Sequence, residues 1–270
     1  ALSHPEQSLK IGGIRLLLIY RSKNIKIEGV LLKDAARWNT HILNSKHISF
    51  SYCKLMNNPT ESKYLGSLDG WDPDSSSDIL IENSFGWAGD DTVAIKCTGR
   101  GENHGMIPNV ERIIIRNNVF LTKKSGLKIG TETYCELMQK IIFEDNDIIE
   151  SDRVMGINVR DGAFVNEVIF KNIHAEYCHP NRKQTAINFY ITKRNSQTSP
   201  LGKIKNITIE DCSFVKAFPK KWAFFRHYSE TQKNDLSVHL KNIFVGGEKI
   251  EEMDTKIFDP KKNNAELSFN

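Results

Sequence analysis

Long apolar runs, paired cysteines and an excess of one charge are all missing from this 270-residue chain. The longest candidate for a membrane span, residues 14–20, has only the length of a strand, whereas a helix needs about 20 apolar residues to cross a bilayer. The five cysteines, Cys53, Cys97, Cys135, Cys178 and Cys212, contain no Cys-x-x-Cys pair and are odd in number. That argues against a zinc ribbon or a disulfide framework and favours buried free thiols. A net charge of +4 is spread among acidic residues rather than gathered in a stripe, which speaks against nucleic acid as a partner and leaves an anionic substrate open. No leader is recognisable at Ala1; either it has been removed or it lies outside this sequence, and its absence does not mark the protein as cytosolic. Neither a cofactor, a metal nor a membrane partner is expected; the sequence leaves the oligomeric state undefined.

A sustained helical period is also missing. What the chain has instead is one repeated phrase: a polar residue, alternating apolar positions, then Asn or Asp. It appears as Asn24-Ile25-Lys26-Ile27, His47-Ile48-Ser49-Phe50, Asp78-Ile79-Leu80-Ile81, Arg112-Ile113-Ile114-Ile115, Lys140-Ile141-Ile142-Phe143, Glu167-Val168-Ile169-Phe170, Asn206-Ile207-Thr208-Ile209 and Leu236-Ser237-Val238-His239. Successive starts lie 23 to 39 residues apart. Short strands at such intervals mark a solenoid whose coils bury their apolar faces only by stacking. The regular leucines of leucine-rich repeats and the tight hairpins of propellers are both lacking. The expectation is all-β: a single-stranded right-handed parallel β-helix forming one domain over residues 1–270. Its abrupt start in a strand leaves open that an N-terminal cap or first coils are missing.

Between these phrases runs a second series: Val93-Ala94-Ile95-Lys96, Leu127-Lys128-Ile129-Gly130, Ile157-Asn158-Val159-Arg160 and Ile187-Asn188-Phe189-Tyr190. At intervals of 34, 30 and 30 residues they are expected to stack as neighbours in one sheet. Alternation points Val93, Leu127, Ile157 and Ile187 inward, with Ile95, Ile129, Val159 and Phe189. Outward then go Ala94, Lys128, Asn158 and Asn188 in one row, and Lys96, Gly130, Arg160 and Tyr190 in the next. Connections 98–109 and 192–200 are expected to wall a groove on this face.

Two acidic turns stand beside that face. Asp69-Gly70-Trp71-Asp72 is followed 21 residues later by Gly89-Asp90-Asp91. Stacked one coil apart, about 4.8 Å, these aspartates crowd, and crowding raises the pKa of at least one carboxyl. A carboxylic acid beside a carboxylate is the equipment that cuts a glycosidic bond. Turn chemistry explains Asp74 and Asp78 equally well, and a calcium site is the other use of clustered Asp.

The run Asp69-Gly70-Trp71-Asp72-Pro73-Asp74-Ser75-Ser76, then Ile79-Leu80-Ile81-Glu82-Asn83, then Gly89-Asp90-Asp91-Thr92-Val93-Ala94-Ile95-Lys96 resembles the core of glycoside hydrolase family 28, the polygalacturonases and their β-helix relatives. Residues 21–30 and Trp38-Asn39-Thr40-His41 resemble the coils before that core, and the likeness spans residues 14–175. It implies an inverting hydrolase with Asp90 as general acid and Asp69 and Asp91 activating water. Two departures stand out. Where the family carries Gly-His-Gly, this chain has Ser125-Gly126, and where it carries Arg-x-Lys, this chain reads Asn158-Val159-Arg160. A divergent relative acting on another poly- or oligosaccharide is therefore expected. Residues 126–133 and 152–163 are similar to β-helix hydrolases of α-glucans or α-galactosides. Trp71, Asp72, Lys96, His104, Lys128, Glu132, Arg153, Asn158, Arg160 and Asp161 are the expected substrate-binding residues, with Glu132 and Asp161 equally able to pair with Arg153 or Arg160. His104 is the candidate stand-in for the missing histidine, and Trp87 a second stacking platform. A secreted or periplasmic location follows from the family likeness. A silent glycan-binding β-helix and a polysaccharide lyase are the alternative readings.

Overall fold

The computed structural model describes residues 14–57, 67–99, 107–178, 185–215, 223–252 and 263–270. Among the described residues the regular elements are strands apart from one short 3-10 helix, residues 230–235, and no helix is long and apolar enough to cross a membrane. The strands stack in parallel into two long sheets, a β-solenoid in which each coil donates one strand to an eight-stranded sheet and the repeated phrase to a larger one.

Each phrase forms its strand for a reason readable in its ends. Asn24, His47, Asp78, Arg112, Lys140, Glu167 and Asn206, the first residues of the first seven phrases, all have φ between 51° and 59°. The closing residues Asn83, Asn117, Asp145, Asn172, Asp211 and Asn242 are left-handed as well. Asn and Asp tolerate that conformation better than other residues with a Cβ, so the chain corners there and returns to the same register one coil later. Between the corners, alternation stacks like on like. Ile48, Ile79, Ile113, Ile141, Val168 and Ile207 form one buried column, and Phe50, Ile81, Ile115, Phe143, Phe170 and Ile209 the next. Phe143 and Phe170 stack with ring centroids 4.7 Å apart. A buried amide ladder ties one corner, because Asn118 Nδ2 donates to Asn146 Oδ1 at 3.0 Å and to the Ile81 carbonyl at 3.1 Å. Cys53, Cys97, Cys135 and Cys212 are buried free thiols.

The eight-stranded sheet runs through Leu17–Tyr20, Thr40–Leu43, Trp71–Asp74, Val93–Cys97, Ser125–Thr133, Arg153–Val159, Ile187–Ile191 and Ala223–Arg226. The four strands expected to be neighbours are neighbours, but the register differs at Arg153–Val159. Leu127 pairs with Met155 and Met155 with Ile187, so Ile157, rather than Val159, lies beside Ile129 and Phe189. The inward and outward faces survive this two-residue slip, because alternation has period two. The outer rows change: Gly156, not Asn158, lies between Lys128 and Asn188, and Asn158 joins Gly130 and Tyr190.

Candidate active site

The acidic cluster is built at the corner where each coil turns into the eight-stranded sheet. Gly70 is required there, since a Cβ would stand 2.4 Å from the Thr92 carbonyl oxygen of the next coil. That close approach lets the Gly70 N–H donate to the Asp91 carbonyl at 2.9 Å and stacks the two acidic turns. Single carboxylate oxygens of Asp69, Asp90 and Asp91 lie within 4.8 Å of one another.

Two of the three carboxylates have a lysine of their own. Asp69 Oδ2 accepts from Lys96 Nζ at 2.5 Å. Asp91 Oδ2 accepts from Lys128, and its Oδ1 takes the Ser125 backbone N–H at 3.0 Å. Burial by itself pushes the Asp91 carboxyl up, yet Lys128, with Arg153 and Lys96 behind it, holds it below the usual carboxylate range. Among the described residues Asp90 has no lysine partner: its Oδ2 accepts the Ser67 backbone N–H at 2.9 Å. Burial, then the neighbouring charges of Asp91 and Asp69, push it up to about 6.

A cavity of about 230 Å³ opens over this cluster, lined by Asp90, Asp91, Lys124, Lys128, Thr131, Asp152, Arg153, Asn158 and Tyr190. Asp90, Asp91, Lys128, Arg153 and Asn158 thus stand together as expected. Lys124, Thr131 and Asp152 were not foreseen. Lys124 and Asp152 occupy the corner just before their strands, as Asp91 does before Val93–Cys97, so the pre-strand position of each coil was the available signal.

Several expected substrate residues lie elsewhere. Trp71 is fully buried, points into the core and packs against Phe120 with centroids 6.0 Å apart, so it offers no platform to a sugar. Asp72 is also fully buried. Its Oδ1 lies 2.6 Å from Lys96 Nζ, and Lys96 sits 3.8 Å above the Trp38 ring. With one lysine facing two carboxyls, burial pushes Asp72 well above its usual range, and Asp72 and Asp69 together raise Lys96 against its own burial. Lys96 and Asp72 therefore lie beneath the site, against Asp69, and not in the cavity wall. Asp161 is buried and grips Arg194 at 2.7 Å and 2.9 Å, with Glu132 3.9 Å from the same guanidinium. These two acids form a structural ion network, with Arg194 in place of the Arg153 or Arg160 expected. Arg160 follows its strand and does not line the cavity. Trp87 is half-buried on the other sheet, and His104 lies outside the described residues. Asp74 accepts from the Thr98 backbone N–H at 2.8 Å and contacts His41 Nε2 at 2.9 Å, while Asp78 pairs with Arg112; both serve structure.

Ser125, at the family's histidine position, has a cation over it: Arg153 Nη1 donates to Ser125 Oγ at 3.0 Å. Three carboxylates this close could also ligate a cation. Lys96 and Lys128 already neutralise two of them, which reduces the field such an ion would need.

The sequence profile for Glycosyl hydrolases family 28 matches residues 13–248. A polygalacturonase of Ralstonia nicotianae is 25% identical over 189 residues, 66% of this chain and 33% of the relative. An endo-polygalacturonase of Pectobacterium carotovorum subsp. carotovorum is 31% identical over 62% of this chain and 39% of the relative. The chain thus spans about a third of the length of the curated relatives it matches. Among solved structures, the polygalacturonase from Erwinia carotovora ssp. carotovora superposes with a TM-score of 0.70 at 21% identity, covering 94% of this chain and 59% of that one. The Yersinia enterocolitica family 28 exopolygalacturonase gives 0.68 at 13% identity, covering 89% and 44%. These likenesses make the solenoid a right-handed parallel β-helix of the pectin lyase-like type, and with the profile covering most of its length, the chain belongs to glycosyl hydrolases family 28.

Proposed function

We infer that the chain is the catalytic body of an inverting glycoside hydrolase acting on an acidic, galacturonate-type glycan. The observation that carries this reading is the unequal treatment of three adjacent carboxyls. Asp69 and Asp91 are each held by a lysine, whereas Asp90 has none among the described residues and is pushed up to about 6. Asp90 is thus a protonated donor for the leaving oxygen in mildly acidic solution, Asp91, held low by Lys128, is the ionised acceptor for water, and Asp69 helps to position that water. The polygalacturonase relatives and the cations Lys124, Lys128 and Arg153 in the cavity wall support an anionic sugar. Such a polymer lies outside cells, and export of the enzyme follows from this reading. A lyase would need Lys128 or Arg153 as a neutral base, but Asp91 raises Lys128 despite its burial, which keeps it charged.

The stereochemical claim is the sharper one. Acid and base in inverting enzymes generally stand about 6.5–9.5 Å apart to leave room for water, and oxygens here approach within 4.8 Å. Inversion therefore rests on the family likeness and not on this spacing, which is a closest approach of single oxygens. Proton NMR of polygalacturonate digests is expected to show new reducing ends, without unsaturated sugar, whose first-formed anomer is the opposite of the cleaved linkage. A first-formed anomer of the same configuration overturns inversion, and no reducing ends at all leaves the glycan-binding reading.

A further inference from the structure

A second cavity, of about 330 Å³, adjoins the first and is lined by Tyr190, Ile191, Thr192, Phe224, Arg226 and Tyr228. Tyr190 belongs to both walls. Asn158, Tyr190 and Arg226 are register partners on consecutive strands of the eight-stranded sheet, so one outward row leads from the first cavity into the second. At about 4.8 Å per coil, Arg226 stands roughly 10 Å along the solenoid from Asn158. Arg226 is exposed and makes no ion pair with any described residue, in contrast to Arg112, Arg116 and Arg194. Tyr190 and Phe224 meet edge to face, with centroids 6.4 Å apart, and Tyr228 is 55% exposed. Aromatic faces beside an unpaired guanidinium match a sugar ring that carries a carboxylate: the C–H face packs on the rings, and the carboxylate takes the planar fork.

We propose that this cavity is a separate uronate subsite, and that Arg226 supplies a carboxylate grip which Asn158 and Arg160 do not supply near the acids. The inference deepens the proposed function and rests on an acidic glycan being the substrate. Bound there, a second or third sugar of the same chain lies along the solenoid axis, and only chains long enough to reach it gain from Arg226.

The test uses Asp90→Asn, which holds substrate without cutting it, titrated calorimetrically with an oligogalacturonate hexamer, the dimer and the carboxyl-reduced hexamer. Adding Arg226→Gln is expected to weaken the hexamer about 10- to 100-fold, the range of a hydrogen bond to a charged group. The reduced hexamer and the dimer are expected to bind equally with and without Arg226. Equal hexamer affinity with and without Arg226, or an equal loss for the reduced hexamer, overturns the subsite, as does no hexamer binding. Arg226-dependent binding in a chain whose unsubstituted form releases no reducing ends retains the subsite and removes the hydrolase. Reducing-end release at a KM unaffected by Arg226→Gln does the reverse.

Discussion

Asp90→Asn is expected to lower hydrolysis by about three orders of magnitude, the scale of a lost general acid, while making the protein more stable at neutral pH. The two effects share one cause. In the folded chain the Asp90 carboxyl is pushed up to about 6 by burial and by Asp91 and Asp69, while unfolded it returns to an ordinary value near 4. Between those values the folded state binds more protons than the unfolded one, so stability falls as pH rises through the window. Above pH ~6 the whole cost is present. Two pKa units correspond to roughly 3 kcal/mol, and partial solvent access reduces this to ~2 kcal/mol. An amide cannot ionise and escapes the cost, which amounts to a rise in Tm of about 5 °C for a chain of this size. Below pH ~4 the gain should vanish. Thermal unfolding at two pH values checks the stability effect, and reducing-end assays the activity. An Asn variant that keeps activity within tenfold, or is less stable at neutral pH, contradicts the role given to Asp90.

Lys96→Met carries the second large effect, in the opposite direction. Lys96 is the cation for two buried acids, 2.5 Å from Asp69 and 2.6 Å from Asp72. Methionine fills much of the volume but removes the ammonium that lies between the Asp69 and Asp72 carboxyls beneath the site. Breaking a buried pair from one side costs about 3–5 kcal/mol. Hydrolysis should fall with stability, since Lys96 no longer fixes the Asp69 carboxyl beside Asp90 and Asp91. Because the penalty is that of an unpaired carboxylate, it should shrink as acid protonates the cluster. Urea unfolding at neutral and mildly acidic pH measures both. A loss under ~1 kcal/mol at neutral pH shows that Lys96 does not hold the cluster's charge.

The solenoid was legible because its corners and columns are written in short range. A left-handed polar residue, two or three inward β-branched or aromatic side chains and a closing Asn recur in nearly every coil, and each coil repeats the logic of the last. The acidic corner was legible for the same reason. What failed was the exact register of one strand. Both Met155 and Ile157 point inward, so alternation could not separate them, and equal spacing favoured Ile157; in fact the coils on either side are unequal, with Leu127, Met155 and Ile187 as partners. That slip moved Asn158 into the row that reaches Tyr190 and Arg226, and left Arg160 beyond the strand. Trp71 and Lys96 were misjudged for a different reason. Asp-Gly-Trp-Asp reads as a turn, but Trp71 already begins a strand and takes its inward position. Lys96 does face outward, yet the Asp69 and Asp72 carboxyls and the Trp38 ring enclose it. Which outward residues remain exposed depends on lateral neighbours a coil away, and no local pattern specifies them.

The proton on Asp90 is the point from which the rest follows, and it can be observed without substrate. Side-chain carboxyl carbon shifts of the full chain, followed by NMR from acid to neutral pH, should show Asp90 titrating near 6 and moving lower once Asp91 is replaced by Asn. An Asp90 midpoint near 4, unmoved by that replacement, means that the carboxyl is ionised when it should donate.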